Sequence, residues 1–224
     1  QLVRYQLNPG VDYWEGWNEP DPNDKMAWYA AFEAERVRLM AEQGFKAAVG
    51  GFATGVPEWD EFLAFIPAIE AAQRHGGILS LHEYGAPVYE YLVGSPLPGW
   101  PGHSDRGVMA LRYRWWYQEA LIPRGLAIPL VITEAGIDGI LMSGQRPGPA
   151  GLGWRDFIGY WEEQGLGVGP ETYVRQLAWY DAELRADDYV IGFTVFTAGG
   201  GEHWRSYDVN TILPYLAAHI AEAR

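Results

Sequence analysis

The sequence predicts an α/β fold built on a parallel sheet, and two observations lead to this prediction. Short apolar segments typical of buried strands alternate with longer segments typical of helices, as in repeated βαβ units. Two of the strand segments are each followed at once by a glutamate, within residues 17–20 (Trp-Asn-Glu-Pro) and residues 132–136 (Ile-Thr-Glu-Ala-Gly). Since no linker rich in Ser, Pro or Gly divides the chain, we expect a single domain over residues 1–224.

Five strands are predicted from runs of apolar and β-branched residues bounded by turn residues. In chain order they span about residues 11–17, 45–52, 78–82, 129–133 and 189–196.

The helices between these strands are predicted from capping residues and apolar periodicity. The first helix follows the capping residues 21–24 and ends at Gly44, and the second ends at Gly76. Two stretches rich in Pro and Gly, residues 85–107 and 136–169, predict long loops. In chain order the predicted helices span about residues 25–43, 58–75, 108–121, 154–163, 171–186 and 211–224.

Composition excludes several classes of partner. The 16 Lys and Arg against 29 Asp and Glu give a formal charge of -13, which would repel nucleic acid and an anionic membrane surface. No apolar run approaches the length of a membrane span, and without cysteine neither disulfides nor thiolate metal sites can form. We favour a secreted or cell-surface location over the cytoplasm, although a sequence without cysteine fits either.

Two glutamates at strand ends suggest glycoside hydrolysis. The carboxyl end of a barrel strand is where catalytic groups sit in parallel α/β barrels. Glycoside hydrolysis needs one carboxyl group to protonate the leaving oxygen and a second one to attack the sugar or to activate water. We therefore expect Glu19 and Glu134 to converge on one pocket, ~5–5.5 Å apart in a retaining enzyme or ~6.5–9.5 Å apart in an inverting one.

The chain resembles clan A of the glycoside hydrolases, which are retaining enzymes on a (β/α)8, or TIM-type, barrel. In that clan an Asn-Glu pair ends strand four and a Glu ends strand seven, which residues 17–20 and 132–136 match. The clan often has His-x-Tyr on strand six, and residues 82–84 (His-Glu-Tyr) reproduce it. The resemblance covers essentially the whole chain, which would supply strands four to eight and lack the first three βα units.

The resemblance implies a role for each matching residue. Glu19 would be the acid/base and Glu134 the nucleophile, while Asn18 would bind a sugar 2-hydroxyl. Hydrogen bonds from His82 and Tyr84 would keep Glu134 ionised, and burial beside Trp14 and Trp17 would favour the protonated form of Glu19. We expect Glu83, on the opposite strand face, to be structural, and Trp28 to be a packing residue. The predicted substrate-binding residues are Asn18, His82, Tyr84, Trp17, Phe196 and Trp204.

The chain also departs from the clan pattern. The Arg on strand two and the His on strand three have no counterpart, because nothing before Val11 can hold those strands. The Trp that usually ends strand eight is replaced by Phe196, or by Trp204 reaching back from a Gly-rich loop. An open sheet of five strands would expose apolar edges. We therefore expect a missing N-terminal segment or another chain to complete the barrel.

The sequence therefore predicts a glycosidase that cleaves β-linked oligo- or polysaccharides with retention and without a cofactor. Two other interpretations remain open, namely a barrel that binds glycan without cleaving it and a structural or interaction protein with a retained barrel. A metal site built from His103, Glu202 and His203 has no supporting ligand spacing. The sugar, the linkage, endo or exo action and the oligomeric state cannot be read from the sequence.

Overall fold

Residues 2–222 are described in the computed structural model of this protein, and they divide into two compact units. The first unit contains the chain up to His82, together with Tyr113–Thr133 and Tyr189–Ile191. The second contains Glu83–Arg112, Glu134–Asp188 and the chain from Gly192 onward. Three strands therefore begin in the first unit and end in the second.

A five-stranded parallel sheet forms the centre of the fold, which confirms the α/β prediction. The strands lie in the order of the sequence, so each neighbouring pair is joined by a crossover that contains at least one helix. In the first two pairs Tyr13 lies opposite Lys46, and Ala48 lies opposite Ile78. The strands are β1 (Tyr13–Trp14), β2 (Lys46–Phe52), β3 (Ile78–Gly85), β4 (Leu130–Ile137) and β5 (Val190–Val195).

Strand β1 is much shorter than the predicted segment 11–17. Only Tyr13 and Trp14 pair with β2, and the chain has left the ladder before Glu19. The backbone φ of Glu19 is 46°, which lies in the left-handed region and does not fit a strand. The first glutamate therefore sits on an irregular segment after the strand.

Strands β3 and β4 end later than predicted, by three and four residues. All eight residues of β3 are buried, so both faces continue to pack to its end. The N–H of Asp138 donates to the carbonyl oxygen of Gly85 at 3.1 Å, which extends the pairing past the predicted ends. Tyr84 and Glu134 consequently lie inside strands and not in the turns that follow them.

The helices match the predicted positions where their caps were visible in the sequence. A capping box of Glu58 and Glu61 starts α3, and Gly44 adopts a left-handed φ of 79° just beyond α2. The predicted helix 108–121 begins only at Tyr113. Leu111 has a φ of 60°, and its N–H donates to the carboxylate of Glu83 on β3, so the helix cannot include it. The helices are α1 (Leu2–Gln6), α2 (Met26–Glu42), α3 (Trp59–Arg74), α4 (Tyr113–Trp116), α5 (Ile158–Glu163), α6 (Glu171–Leu184) and α7 (Leu213–Glu222).

The end of the predicted closing helix, residues 223–224, lies outside the described residues. In the part of the chain that is described, no helix has the length and apolar character needed to cross a membrane.

A buried ion pair joins α2 to the first two strands. Glu33 is fully buried, and Arg36 donates to both of its carboxylate oxygens at 2.9 and 2.7 Å. The same guanidinium donates to the carbonyl oxygens of Trp14, at 3.1 Å, and of Ala48, at 2.6 Å. Arg36 thus fixes β1 and β2 against the helix, and with them the segment that leads to Glu19.

The expected structural role of Glu83 is confirmed in the second unit. Its buried carboxylate accepts hydrogen bonds from the N–H of Leu111 and the hydroxyl of Tyr180, both at 2.7 Å. Its carbonyl oxygen accepts a hydrogen bond from the Tyr89 hydroxyl at 2.6 Å. These contacts anchor β3 between His82 and Tyr84, the two residues that the sequence places on its other face.

Candidate active site

The backbone around Glu19 is shaped by a bulge in β2. Gly50 and Gly51 have φ values of 104° and 61°, and the pairing of β2 with β3 shifts register between Gly50 and Phe52. A side chain at Gly50 would meet the carbonyl oxygen of Ser80 at 2.7 Å, so only glycine fits. The bulge presents the Gly51 carbonyl oxygen to the N–H of Glu19 at 2.9 Å. This hydrogen bond supports the left-handed backbone of Glu19.

The carboxylate of Glu19 contacts His82 within the first unit. The Glu19 Oε1 atom lies 2.9 Å from His82 Nδ1. The His82 side chain is only 2% exposed, whereas that of Glu19 is 42% exposed. The expected burial of Glu19 beside Trp14 and Trp17 is therefore wrong, and a buried histidine, not an apolar wall, is its described neighbour.

The carboxylate of Glu134 contacts Tyr84 within the second unit. The Tyr84 hydroxyl donates to Glu134 Oε2 at 2.7 Å, an ordinary distance for an O–H···O hydrogen bond. Burial raises the pKa of Tyr84 well above its usual range, and the hydrogen bond to Glu134 raises it further. The hydroxyl therefore stays protonated and remains a donor to Glu134 over the whole physiological pH range.

Three rings after β5 form what we call the aromatic cluster, Phe196, Trp204 and Tyr207. Their centroids lie 5.1–5.6 Å apart, and the rings meet edge to face. Phe196 also meets the Tyr84 ring edge to face at 6.3 Å. Trp204 is 37% exposed, while Tyr207 is buried. The cluster thus extends the surroundings of Glu134, through Tyr84 and Phe196, to an exposed indole.

The other two predicted substrate-binding residues, Trp17 and Asn18, take no part in the contacts described above. The Trp17 indole stacks on Phe32 of α2 at 4.8 Å and remains 52% exposed. Asn18 is exposed and makes no hydrogen bond within the described part of the chain. Trp28 on the same helix is 57% exposed and stacks on Phe32 at 5.8 Å, so it packs at the surface of α2 and not in the core.

Two carboxylates near these contacts were not predicted. Glu15 accepts a hydrogen bond from the Thr133 hydroxyl at 2.8 Å, one residue before Glu134 in the chain. Asp138, just past the end of β4, accepts one from the Tyr207 hydroxyl at 2.9 Å. Asp138 follows Glu134 by four residues, so continuing β4 by one residue gives the two side chains the same strand parity. That parity is the signal that could have identified Asp138, whereas Glu15 lies past the end of β1 and has no such signal.

No model of a known protein family, no curated protein and no solved structure matches this chain. The chemistry of the site therefore has to follow from its own contacts.

Proposed function

We propose that this protein is a retaining β-glycosidase in which Glu134 is the nucleophile and Glu19 the acid/base. The observation that carries the proposal is that β3 holds the partners of both glutamates, His82 for Glu19 and Tyr84 for Glu134. Residues two apart on a strand point to the same face and lie about 7 Å apart along it. A retaining mechanism requires the two carboxyl groups to lie ~5–5.5 Å apart across the sugar.

The contacts suit the two roles. A nucleophilic carboxylate must be aimed at the anomeric carbon, and the hydrogen bond from the Tyr84 hydroxyl fixes the orientation of Glu134. Glu134 would attack the anomeric carbon while Glu19 gives its proton to the leaving oxygen. Glu19 would then take a proton from water, whose oxygen displaces Glu134 from the sugar and restores both carboxyl groups. His82 would orient Glu19 through the contact at Nδ1.

The fold we propose with this function is a (β/α)8 barrel in which β1 to β5 are strands four to eight. Two features of the first unit support a continuation beyond β1. β1 is an edge strand in the described sheet. Next to it, the outer face of α2 exposes Trp28 and Leu39 beside a mostly apolar cavity of about 440 Å³ that Phe32 helps to line. Another segment or another chain would cover this face with the remaining units.

The function is tested by incubating the protein with a panel of aryl β-glycosides and β-linked polysaccharides, with the products followed by proton NMR. Hydrolysis that first releases the β-anomer supports the retaining mechanism, and first release of the α-anomer contradicts it. Binding without any turnover supports the glycan-binding interpretation. Neither binding nor turnover, in the protein with its barrel completed, favours an interaction protein.

Tyr84→Phe tests the hydrogen bond to Glu134. A hydrogen bond to a charged group contributes about 1.5–3 kcal/mol, so we expect kcat to fall roughly 10- to 100-fold with little change in KM. Tyr91→Phe is the matched control, since no described hydrogen bond joins the Tyr91 hydroxyl to a carboxylate. Equal kinetics for the two variants would remove Tyr84 from the proposed mechanism.

The exposed face of α2 gives a prediction about association. Because this face is apolar, we expect the isolated chain to self-associate in size-exclusion chromatography with light scattering. The pair Trp28→Glu and Leu39→Glu should shift it towards the monomer. Ile122→Glu, at a residue of the same unit that is 50% exposed, should not. A monomeric unsubstituted chain would contradict the proposal that protein covers this face.

A further inference from the structure

Asp138 is a carboxylate that the two-glutamate mechanism does not use. Its Oδ1 atom accepts hydrogen bonds from the Tyr207 hydroxyl and from the N–H of Ile140, both at 2.9 Å. Its own N–H is bound to the carbonyl oxygen of Gly85 at 3.1 Å. Hydrogen bonds with the distant residues Gly85 and Tyr207 and with the nearby Ile140 therefore fix both the backbone and the side chain of Asp138.

Asp138 belongs to the same group of contacts as Glu134. Its negative charge is close enough to Tyr84 to add to the rise in the pKa of that hydroxyl, after burial and the charge of Glu134. Through Tyr207 it is joined to the aromatic cluster, where Trp204 is the exposed ring. The contacts lead without a break from Glu134 through Tyr84 and the aromatic cluster to Asp138.

An exposed indole that is joined through one tyrosine to a fixed carboxylate is a combination suited to a sugar. The apolar C–H face of a pyranose packs on an aromatic ring, and its hydroxyls donate to an ionised carboxylate in charge-assisted hydrogen bonds. A carboxylate discriminates as well as binds, because a ligand that carries its own carboxylate or sulfate is repelled at short range. The protein charge of -13 acts in the same direction.

We propose that Asp138 and Trp204 form a subsite that selects uncharged sugars and rejects acidic ones. The inference rests on the proposed function and extends it by naming the substrate class, a neutral glycan whose hydroxyls donate to Asp138. Tyr207 is the positioning residue, since its hydroxyl holds the carboxylate in place.

The first variant, Asp138→Asn, removes the charge but keeps an oxygen that can accept from Tyr207. For neutral aryl β-glycosides we expect KM to rise about tenfold with kcat nearly unchanged. For the corresponding β-glucuronide we expect kcat/KM to rise, so that the preference for neutral substrates falls by tenfold or more. A merely structural role for Asp138 would not move this preference.

The second variant, Tyr207→Phe, releases Asp138 without altering its charge. We expect KM for neutral substrates to rise while the glucuronide remains a poor substrate. Asp181→Asn is the control, because Asp181 of α6 pairs with Arg185, just past the end of that helix, and with His219 of α7 in the same unit. Circular dichroism and thermal melting of each variant show whether a kinetic change reflects a loss of fold.

Calorimetric titration with neutral and uronic oligosaccharides separates this inference from the proposed function. If the unsubstituted protein binds neutral ligands without turnover, the glycosidase proposal fails while the subsite can still be judged by its selectivity. If Asp138→Asn keeps the full preference for neutral ligands, the subsite is refuted even where turnover is intact. If the protein neither binds nor hydrolyses any of these ligands, both the glycosidase proposal and the subsite are refuted.

Discussion

Glu134→Gly should lower kcat for an aryl β-glycoside by roughly 10⁴-fold, because the variant has no carboxylate to form the glycosyl-enzyme. The fold should survive the change, since Glu134 is only partly buried and its described partner, Tyr84, keeps its ring contact with Phe196. The measurement is steady-state kinetics with an activated aryl substrate, together with a thermal melt of the variant.

Added azide distinguishes the nucleophile from the acid/base. In Glu134→Gly, azide can enter the space of the missing carboxylate and attack from the face opposite the leaving group, which yields the α-glycosyl azide. In Glu19→Gly, the glycosyl-enzyme still forms from an activated substrate, and azide then displaces Glu134 to give the β-glycosyl azide. The two products, separated by NMR, assign the roles independently of the rates.

Glu90→Gln is the control for both variants, since Glu90 is an exposed carboxylate of the second unit without a described ion pair. It should leave kcat unchanged. The mechanism would be refuted if Glu134→Gly kept more than a tenth of the activity, or if azide gave the same anomer with both glycine variants.

Local patterns in the sequence were sufficient to predict the order of the strands and to predict which residues of β3 share a face. Alternation with a period of two puts His82 and Tyr84 on one face, and each contacts one of the two predicted glutamates. The predicted positions of Glu19 and Glu134 at strand ends were wrong in opposite directions, since Glu19 lies beyond the end of β1 and Glu134 lies within β4. Local patterns could not predict where each strand ends. The pairing of Gly85 with Asp138, for example, depends on two segments more than 50 residues apart.

Contacts between distant segments explain the missed carboxylates. The hydrogen bonds of Thr133 to Glu15 and of Tyr207 to Asp138 span 118 and 69 residues, so no window of local sequence contains both partners. The exposure of Trp28 was missed for a different reason. A tryptophan on a helix is usually a packing residue, and only the described surface shows that α2 has a second apolar face.

Arg36→Ala should destabilise the protein by about 3–5 kcal/mol, because it leaves Glu33 charged and fully buried without its partner. This is a large part of the ~5–15 kcal/mol that stabilises a typical domain. Two strand carbonyl groups, those of Trp14 and Ala48, lose their donor as well. For a chain of this size, the expected fall in melting temperature is about 6–20 °C.

A matched pair on the same helix isolates the effect of burial. Arg38 has the same spacing to Glu35 as Arg36 has to Glu33, but both partners of Arg38, Glu35 and Glu42, are exposed. We therefore expect Arg38→Ala to leave the melting temperature nearly unchanged. The double variant Glu33→Leu with Arg36→Met removes both buried charges and should recover much of the loss. Equal melting temperatures for Arg36→Ala and Arg38→Ala would contradict this account, and with it the view that Arg36 holds β1 in the position that Glu19 requires.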